Sequence, residues 1–155
     1  MSLISLRVIT VENWRECVAL QVADGQEDFV TPNVLSLAQS KFEVSRVPLA
    51  VYAEETMVGF VMYNQRPLKD GSYRISRLMV DRRYQGHGYG RATVVAVLAR
   101  MRQIPGCTEI LLEYAPTNIA AARLYASLGF EAFGKTEYGI VDGIVDYDII
   151  ARLKL

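Results

Sequence analysis

Gln85-Gly86-His87-Gly88-Tyr89-Gly90-Arg91 sets three glycines at alternate positions between a stretch that reads as a strand and one that reads as a helix. Glycines so spaced remove every second side chain, which lets main-chain N–H groups approach a ligand closely. At a helix N-terminus those N–H groups and the macrodipole favour an anion, and a diphosphate is the natural guest. The run lacks the G-x-x-x-x-G-K-[ST] of a nucleoside-triphosphate loop. Its G-x-G-x-G spacing also departs from the G-x-G-x-x-G of a dinucleotide fold, which places its motif after the first strand of a parallel sheet. His87, the single histidine of the chain, lies among these glycines and reads as a phosphate-side or solvent residue. Its solitude argues against a Ser-His-Asp centre and against a multi-histidine metal site.

The elements that must position this loop follow from periodicity and turn residues. Leu3–Ile9 reads as a first strand, and Thr10 as the cap of a helix that turns Trp14, Cys17 and Val18 inward. A polar stretch over Val22–Val30 leads to Thr31-Pro32, a helix start because proline at the first position loses no hydrogen bond; that helix runs to Val44. Leu49–Ala53 and Met57–Tyr63 flank Glu54-Glu55-Thr56 as an antiparallel hairpin. After a turn at Pro67–Gly71 comes a strand over Tyr73–Asp81, the glycine loop, and a helix with Val94, Val97, Leu98 and Met101 on one face. Ile110–Tyr114 is a short strand. Asn118 caps a helix with Ala121, Leu124, Tyr125 and Leu128 on one stripe and Gly129 as its stop. Phe130–Tyr138 and Ile144–Leu153 close the chain as strands. The order predicts an α+β fold: one domain over residues 1–155, a mixed and mostly antiparallel central sheet, and helices on both faces.

The bulk numbers agree with one core. The chain has 155 residues, 51% hydrophobic and 22% charged, with 17 basic against 17 acidic side chains. Such a balance lacks the basic footprint of a nucleic-acid binder. No apolar run is long enough to cross a bilayer. Cys17 and Cys107 form no C-x-x-C pair, so a reducing cytoplasm is the expected compartment.

The run Q-x-x-G-x-G at Gln85–Gly90 is similar to the acetyl-CoA pyrophosphate loop of the GNAT acetyltransferase superfamily. Asn118-x-x-Ala121-x-x-Leu124-Tyr125-x-x-x-Gly129-Phe130 resembles that superfamily's later motif, and the order of elements resembles its fold. Arg77–Asp81 and Tyr84–Arg91 look most like bacterial diamine (spermine/spermidine) N-acetyltransferases, as do Gln26–Val30, Val58-Gly59-Phe60 and Tyr114–Asn118. Glu113 departs from that pattern, which has a small residue there. The resemblance implies direct attack of a primary amine, most readily that of spermine or spermidine, on acetyl-CoA, with no metal. It implies that Leu78, Met79 and Val80 face the pantetheine arm and that Gln85, Gly86, His87, Gly88, Tyr89, Gly90 and Arg91 hold the diphosphate. Asn118 would hydrogen-bond the arm, and Tyr125 would protonate the departing thiolate. An amine of lysine-like pKa must first lose a proton, which costs about 4 kcal/mol near pH 7; Glu113, acting through water, is the candidate to carry it off. Asp24, Glu27 and Asp28 lie where relatives build the acceptor site and would hold distal ammonium groups by charge-assisted bonds. An amino acid, an aminoglycoside or a protein N-terminus as acceptor, and CoA binding without turnover, are the alternatives. Pairing of two copies through the last strands is a further implication.

Overall fold

Two apolar faces of one sheet organise the chain. The computed structural model describes residues 3–155. Its elements are β1 (Ser5–Val8), α1 (Trp14–Ala19), α2 (Asn33–Phe42), β2 (Arg46–Ala53), β3 (Thr56–Asn64), β4 (Tyr73–Val80), α3 (Tyr89–Met101), β5 (Glu109–Tyr114), α4 (Ile119–Ser127), β6 (Glu131–Val141) and β7 (Ile144–Lys154). Short 3₁₀ turns at Glu27–Phe29 and Arg82–Tyr84 interrupt the loops before α2 and α3. The sheet order is β1-β2-β3-β4-β5-β7-β6, antiparallel throughout except for β4 beside β5.

Alternation along the central strands sends successive side chains to opposite faces. Leu49, Val51 and Val61 pack with Val94, Val97, Leu98 and Met101 of α3 and with Tyr125 of α4. Ala50, Tyr52, Phe60, Met62 and Met79 pack on the other face against Cys17, Leu20 and Leu37 from the α1–α2 side. The expected mixed sheet with helices on both faces is therefore present.

Several boundaries differ from expectation. Residues 10–13 form a turn in which Asn13 Oδ1 accepts the Thr10 N–H at 2.7 Å, so α1 begins only at Trp14. Of the three residues expected inward, Cys17 is fully buried, Val18 is half-buried and Trp14 is exposed, with Arg15 over its ring. Pro32 is the cap of α2 rather than its first residue. The β2–β3 turn is Glu54-Glu55, with Ala53 opposite Thr56. The last two strands meet at Asp142-Gly143, both at positive φ, as a two-residue hairpin turn of the primed kind requires. That turn lengthens β6 beyond Tyr138.

The feature that positions the site is a splay. β4 and β5 pair only at Tyr73–Ile110 and Arg74–Leu111. Opposite β3, Tyr63 faces Ile75 and Met62 faces Arg77, which leaves Ser76 as a bulged residue. Bulges bend and twist a strand, and beyond this one β4 and β5 part. The edge of β4 away from β3 is then without a strand partner as far as Val80.

Candidate functional site

Two cavities open along this splay. The smaller, about 240 Å³, runs from Leu78, Met79 and Val80 past Gln85, Gly86, Gly88, Tyr89 and Gly90 to Asn118, Leu124 and Tyr125. The larger, about 1160 Å³, lies on the side of α2 and the β3–β4 loop and includes Asp28, Arg74, Arg77, Glu113, Tyr138 and Asp148. Phe29, Val30, Leu78, Asn118, Ala121 and Tyr125 line both, so the two cavities meet there.

The glycine loop is built for close approach. Gly86 and Gly88 both have φ +81°, and Gly88 caps α3. A Cβ at Gly90 would stand 3.8 Å from both Val80 and Leu124, filling the cleft between β4 and α4. The Ala92 N–H is donated to Gly88 O at 3.1 Å. The N–H groups of Tyr89, Gly90 and Arg91 precede it, and α3 offers them no carbonyl. Such donors, beside an unpaired strand edge, fit an anion joined to an amide-bearing arm. The Gln85 amide spans the loop, donating to Val80 O at 3.0 Å and to Gln26 Oε1 at 2.9 Å. It thus ties the glycine loop to the loop between α1 and α2. His87 is exposed, its Nδ1 lies 2.9 Å from Gln85 O, and its ring stacks on Tyr89; neither it nor Arg91 lines either of these two cavities.

Asn118 caps α4, its Oδ1 accepting the Ala121 N–H at 3.2 Å, which leaves its amide nitrogen for a ligand. Tyr125 is 8% exposed and packs against the rings of Tyr114 and Phe130. Its hydroxyl has no hydrogen-bond partner among the described residues. Burial first, and then Tyr114, push its phenol up to about 12. A phenol so placed stays protonated and is a standing donor at the junction of the two cavities.

Glu113 of β5 lines the larger cavity, as do its neighbours Leu112 and Tyr114. Its carboxylate accepts from Arg74 Nη1 at 2.6 Å, Thr136 Oγ1 at 3.1 Å and the Tyr138 hydroxyl at 3.0 Å. The acidic loop is only partly in place. Asp28 lines the larger cavity, whereas Asp24 is fully exposed beside Arg82 and Glu27 caps the Gly25 N–H at 2.8 Å. Asp24 and Glu27 line neither cavity, because the 3₁₀ turn at Glu27–Phe29 presents Phe29 and Val30 instead.

Arg74, Arg77, Tyr138 and Asp148 are cavity residues that the sequence reading did not single out. The Asp142-Gly143 pair was the available signal for the hairpin that carries the last two. A bulge at Tyr138, between the pairs Glu137–Tyr147 and Gly139–Asp146, had no signal in the pattern.

Comparison with known proteins bears on this geometry. The profile of the Acetyltransferase (GNAT) family matches residues 13–130. The spermine/spermidine N(1)-acetyltransferase of Bacillus subtilis (strain 168) is 29% identical over 140 residues, covering 87% of this chain and 92% of that protein. Human N-acetyltransferase 8B is 30% identical over 138 residues, 86% of this chain and 56% of its own length. Among solved structures, spermidine N-acetyltransferase from Vibrio cholerae, in complex with CoA and spermine, superposes with a TM-score of 0.78 at 17% identity. It covers 99% of this chain and 96% of that one.

Proposed function

This chain belongs to the GNAT family of acetyltransferases and is an acetyl-CoA-dependent N-acetyltransferase; from that premise we propose that its acceptor is a primary amine of a polyamine such as spermidine or spermine. The observation that carries the proposal is the meeting of the two cavities at Tyr125. One has the glycine loop and the free β4 edge, the other is lined by carboxylates, of which Asp148 has no basic partner at ion-pair distance among the described residues, beside the cationic Arg46, Lys69, Arg74 and Arg77. The names of the relatives over most of the chain support the acceptor class.

Acetyl-CoA supplies a thioester carbonyl that an amine attacks with release of a thiol. Leu78, Met79 and Val80 receive the amide-bearing arm, and the N–H groups over Gln85–Arg91 receive the diphosphate. Asn118, its oxygen held by the cap, donates from its amide nitrogen. Tyr125 donates its hydroxyl to the sulfur as charge develops there. With an ordinary thiol near 8.5, full transfer from a phenol at about 12 is uphill by about 5 kcal/mol, though burial in the same cavity raises the thiol as well. Glu113 has one acceptor position left after its three donors, through which a water takes the acceptor's proton. Asp28 is the member of the acidic loop that reaches the acceptor.

We place the enzyme in the cytoplasm; among the described residues no helix is long and apolar enough to cross a membrane. We also propose that two copies pair through the β6–β7 hairpin, whose Ile140, Val141 and Ile144 are 73%, 60% and 72% exposed. One observation favours a second acceptor class. Arg77 lines the larger cavity and bonds only Ser36 Oγ, Ser76 O and Gln39 Oε1, with no carboxylate at ion-pair distance among the described residues. It would receive the carboxylate of an amino acid.

The test is thiol release from acetyl-CoA with spermine, spermidine, putrescine, lysine, an aminoglycoside and a peptide as acceptors. Saturable release with spermine or spermidine is expected. Release with lysine alone would move the assignment to the second class, and release with none would remove turnover.

A further inference from the structure

The wall of the larger cavity formed by β5, β6 and β7 holds one half-buried carboxylate with no basic side chain at ion-pair distance among the described residues. Glu43 pairs with Arg46, and Asp70 and Glu113 share the guanidinium of Arg74. Asp28 is exposed at the rim. Asp148, half-buried on β7, has no basic side chain at ion-pair distance among the described residues. Its Oδ2 lies 3.2 Å from the Tyr138 hydroxyl, which lies 3.0 Å from Glu113 Oε2. A phenol has one proton. It can donate to one carboxylate only, and the other then faces an oxygen lone pair. Arg77 lines the same cavity beside Glu113, which leaves Asp148 as the carboxylate of this wall that an incoming cation can pair.

A second, independent observation lies in the same cavity. The Tyr125 hydroxyl, on a side chain more than nine-tenths buried and without a protein partner among the described residues, opens into the same cavity. It marks the reacting end, beside which Glu113 stands, and Asp148 lies beyond Tyr138 on the same wall.

Resting on the acetyltransferase reading above, we infer that Asp148 and Tyr138, backed by Glu113, form the subsite that recognises a second, non-reacting ammonium of the acceptor. The cation sits against the Asp148 carboxylate, and the Tyr138 hydroxyl then donates to Glu113 without conflict. A charge-assisted bond to Asp148 sets the preference for an acceptor with two cationic centres over one with a single amine. The charged surroundings of Asp148 agree. Burial, and then Glu113 of β5 and Asp146 of β7, push its carboxyl up, opposed only by the Tyr138 hydroxyl of β6. Arg74 and Arg77 of β4 lie on the far side, beside Glu113.

The experiment compares wild type, Asp148→Asn and Tyr138→Phe in thiol release at saturating acetyl-CoA, with spermidine and butylamine as probes. Asp148→Asn should lower the spermidine-to-butylamine ratio of kcat/KM at least tenfold, with the loss carried by the KM for spermidine. Tyr138→Phe should lower it in the same direction by less. Because the asparagine keeps the shape and relieves carboxylate repulsion, its Tm should equal or exceed that of wild type; a side chain with a merely structural role would lose Tm and act on both amines alike. An unchanged ratio overturns the inference while leaving the polyamine assignment intact. Absence of spermidine turnover in wild type would instead remove that assignment. Calorimetric titration of spermidine into the CoA-loaded protein then reads the subsite without turnover. Binding at least tenfold weaker in Asp148→Asn supports the inference, and equal binding, or none by wild type, overturns it.

Discussion

Replacing Tyr125 by phenylalanine removes one oxygen and keeps the ring against Tyr114 and Phe130, whose centroids stand 5.7 and 5.9 Å away. The hydroxyl has no hydrogen-bond partner among the described residues, so its removal breaks no protein hydrogen bond, and the Tm should move by no more than about 2 °C. The cost falls on the reaction. A hydrogen bond to a charged acceptor contributes about 1.5–3 kcal/mol, and donors aimed at developing charge in water-poor sites reach roughly 3–4 kcal/mol. At 1.36 kcal/mol per decade, kcat should fall by about 10- to 900-fold, with little change in the KM for acetyl-CoA. The phenol pushed up to about 12 by burial adds a second signature. Tyr125 is protonated throughout the working range, so any alkaline decline below about pH 10 must survive the substitution. Thiol release at saturating acetyl-CoA, followed from pH 6 to 10 beside thermal melts of the same preparations, reads all of these. A kcat within threefold of wild type, or loss of the alkaline limb in the variant, would refute the role argued for Tyr125.

Other perturbations separate further parts of the argument. A Cβ at Gly59 would lie 2.5 Å from Met79 O on the strand that lines the smaller cavity. Gly59→Ala should therefore cost about 2 kcal/mol or more, a Tm fall of roughly 4–8 °C, and should raise the KM for acetyl-CoA; an unchanged melt would contradict the tight β3–β4 packing. Acetyl-CoA at 100 times its Kd should stabilise the fold by about 2.7 kcal/mol, and Gly88→Val, which strains a φ of +81° at the head of α3, should abolish that gain if the loop holds the diphosphate. Two carboxyls of the larger cavity should respond to pH with opposite sign. Asp148 is raised in the folded protein, so the folded state binds its proton more tightly and stability is lost as pH rises from about 3.9 through the folded value. Asp148→Asn should gain Tm over wild type at pH 7 and less near pH 4. Asp70 is lowered to about 2 by the Ser72 hydroxyl and N–H and by Arg74, so its contribution is present at neutral pH and is lost as pH falls from about 4 to 2. Asp70→Asn should be the less stable protein at pH 7, with the gap closing in acid, and a gap of constant size would contradict the assignment.

What was legible in the residues, and what was not, divides by distance along the chain. The glycine loop depends on positions within a few residues of one another: a strand end, glycines able to take positive φ, and a helix start. Asn118 as a cap and Gly129 as a stop are local in the same sense, as are the inward stripes of α3 and α4. The exposure of Trp14 was not local. The turn at residues 10–13 delayed α1, and that turn is held by a side-chain bond from Asn13 that apolar spacing does not reveal.

The β5–β7 wall of the larger cavity is the opposite case. Arg74 and Glu113 are 39 positions apart, and Tyr138 stands 25 beyond Glu113. They meet because β7 inserts between β5 and β6 and because a bulge stands at Tyr138. The same assembly decided that the acidic loop contributes Asp28 and leaves Asp24 and Glu27 outside both cavities, and that Glu113 is held by three donors. Composition, period and turn residues thus sufficed for the fold and for the shape of the glycine loop, whose geometry follows from backbone dihedrals and hydrogen bonds between near neighbours. Which carboxylates are paired and which one is left without a cation follows from contacts across strands, and these exist only once the sheet has closed.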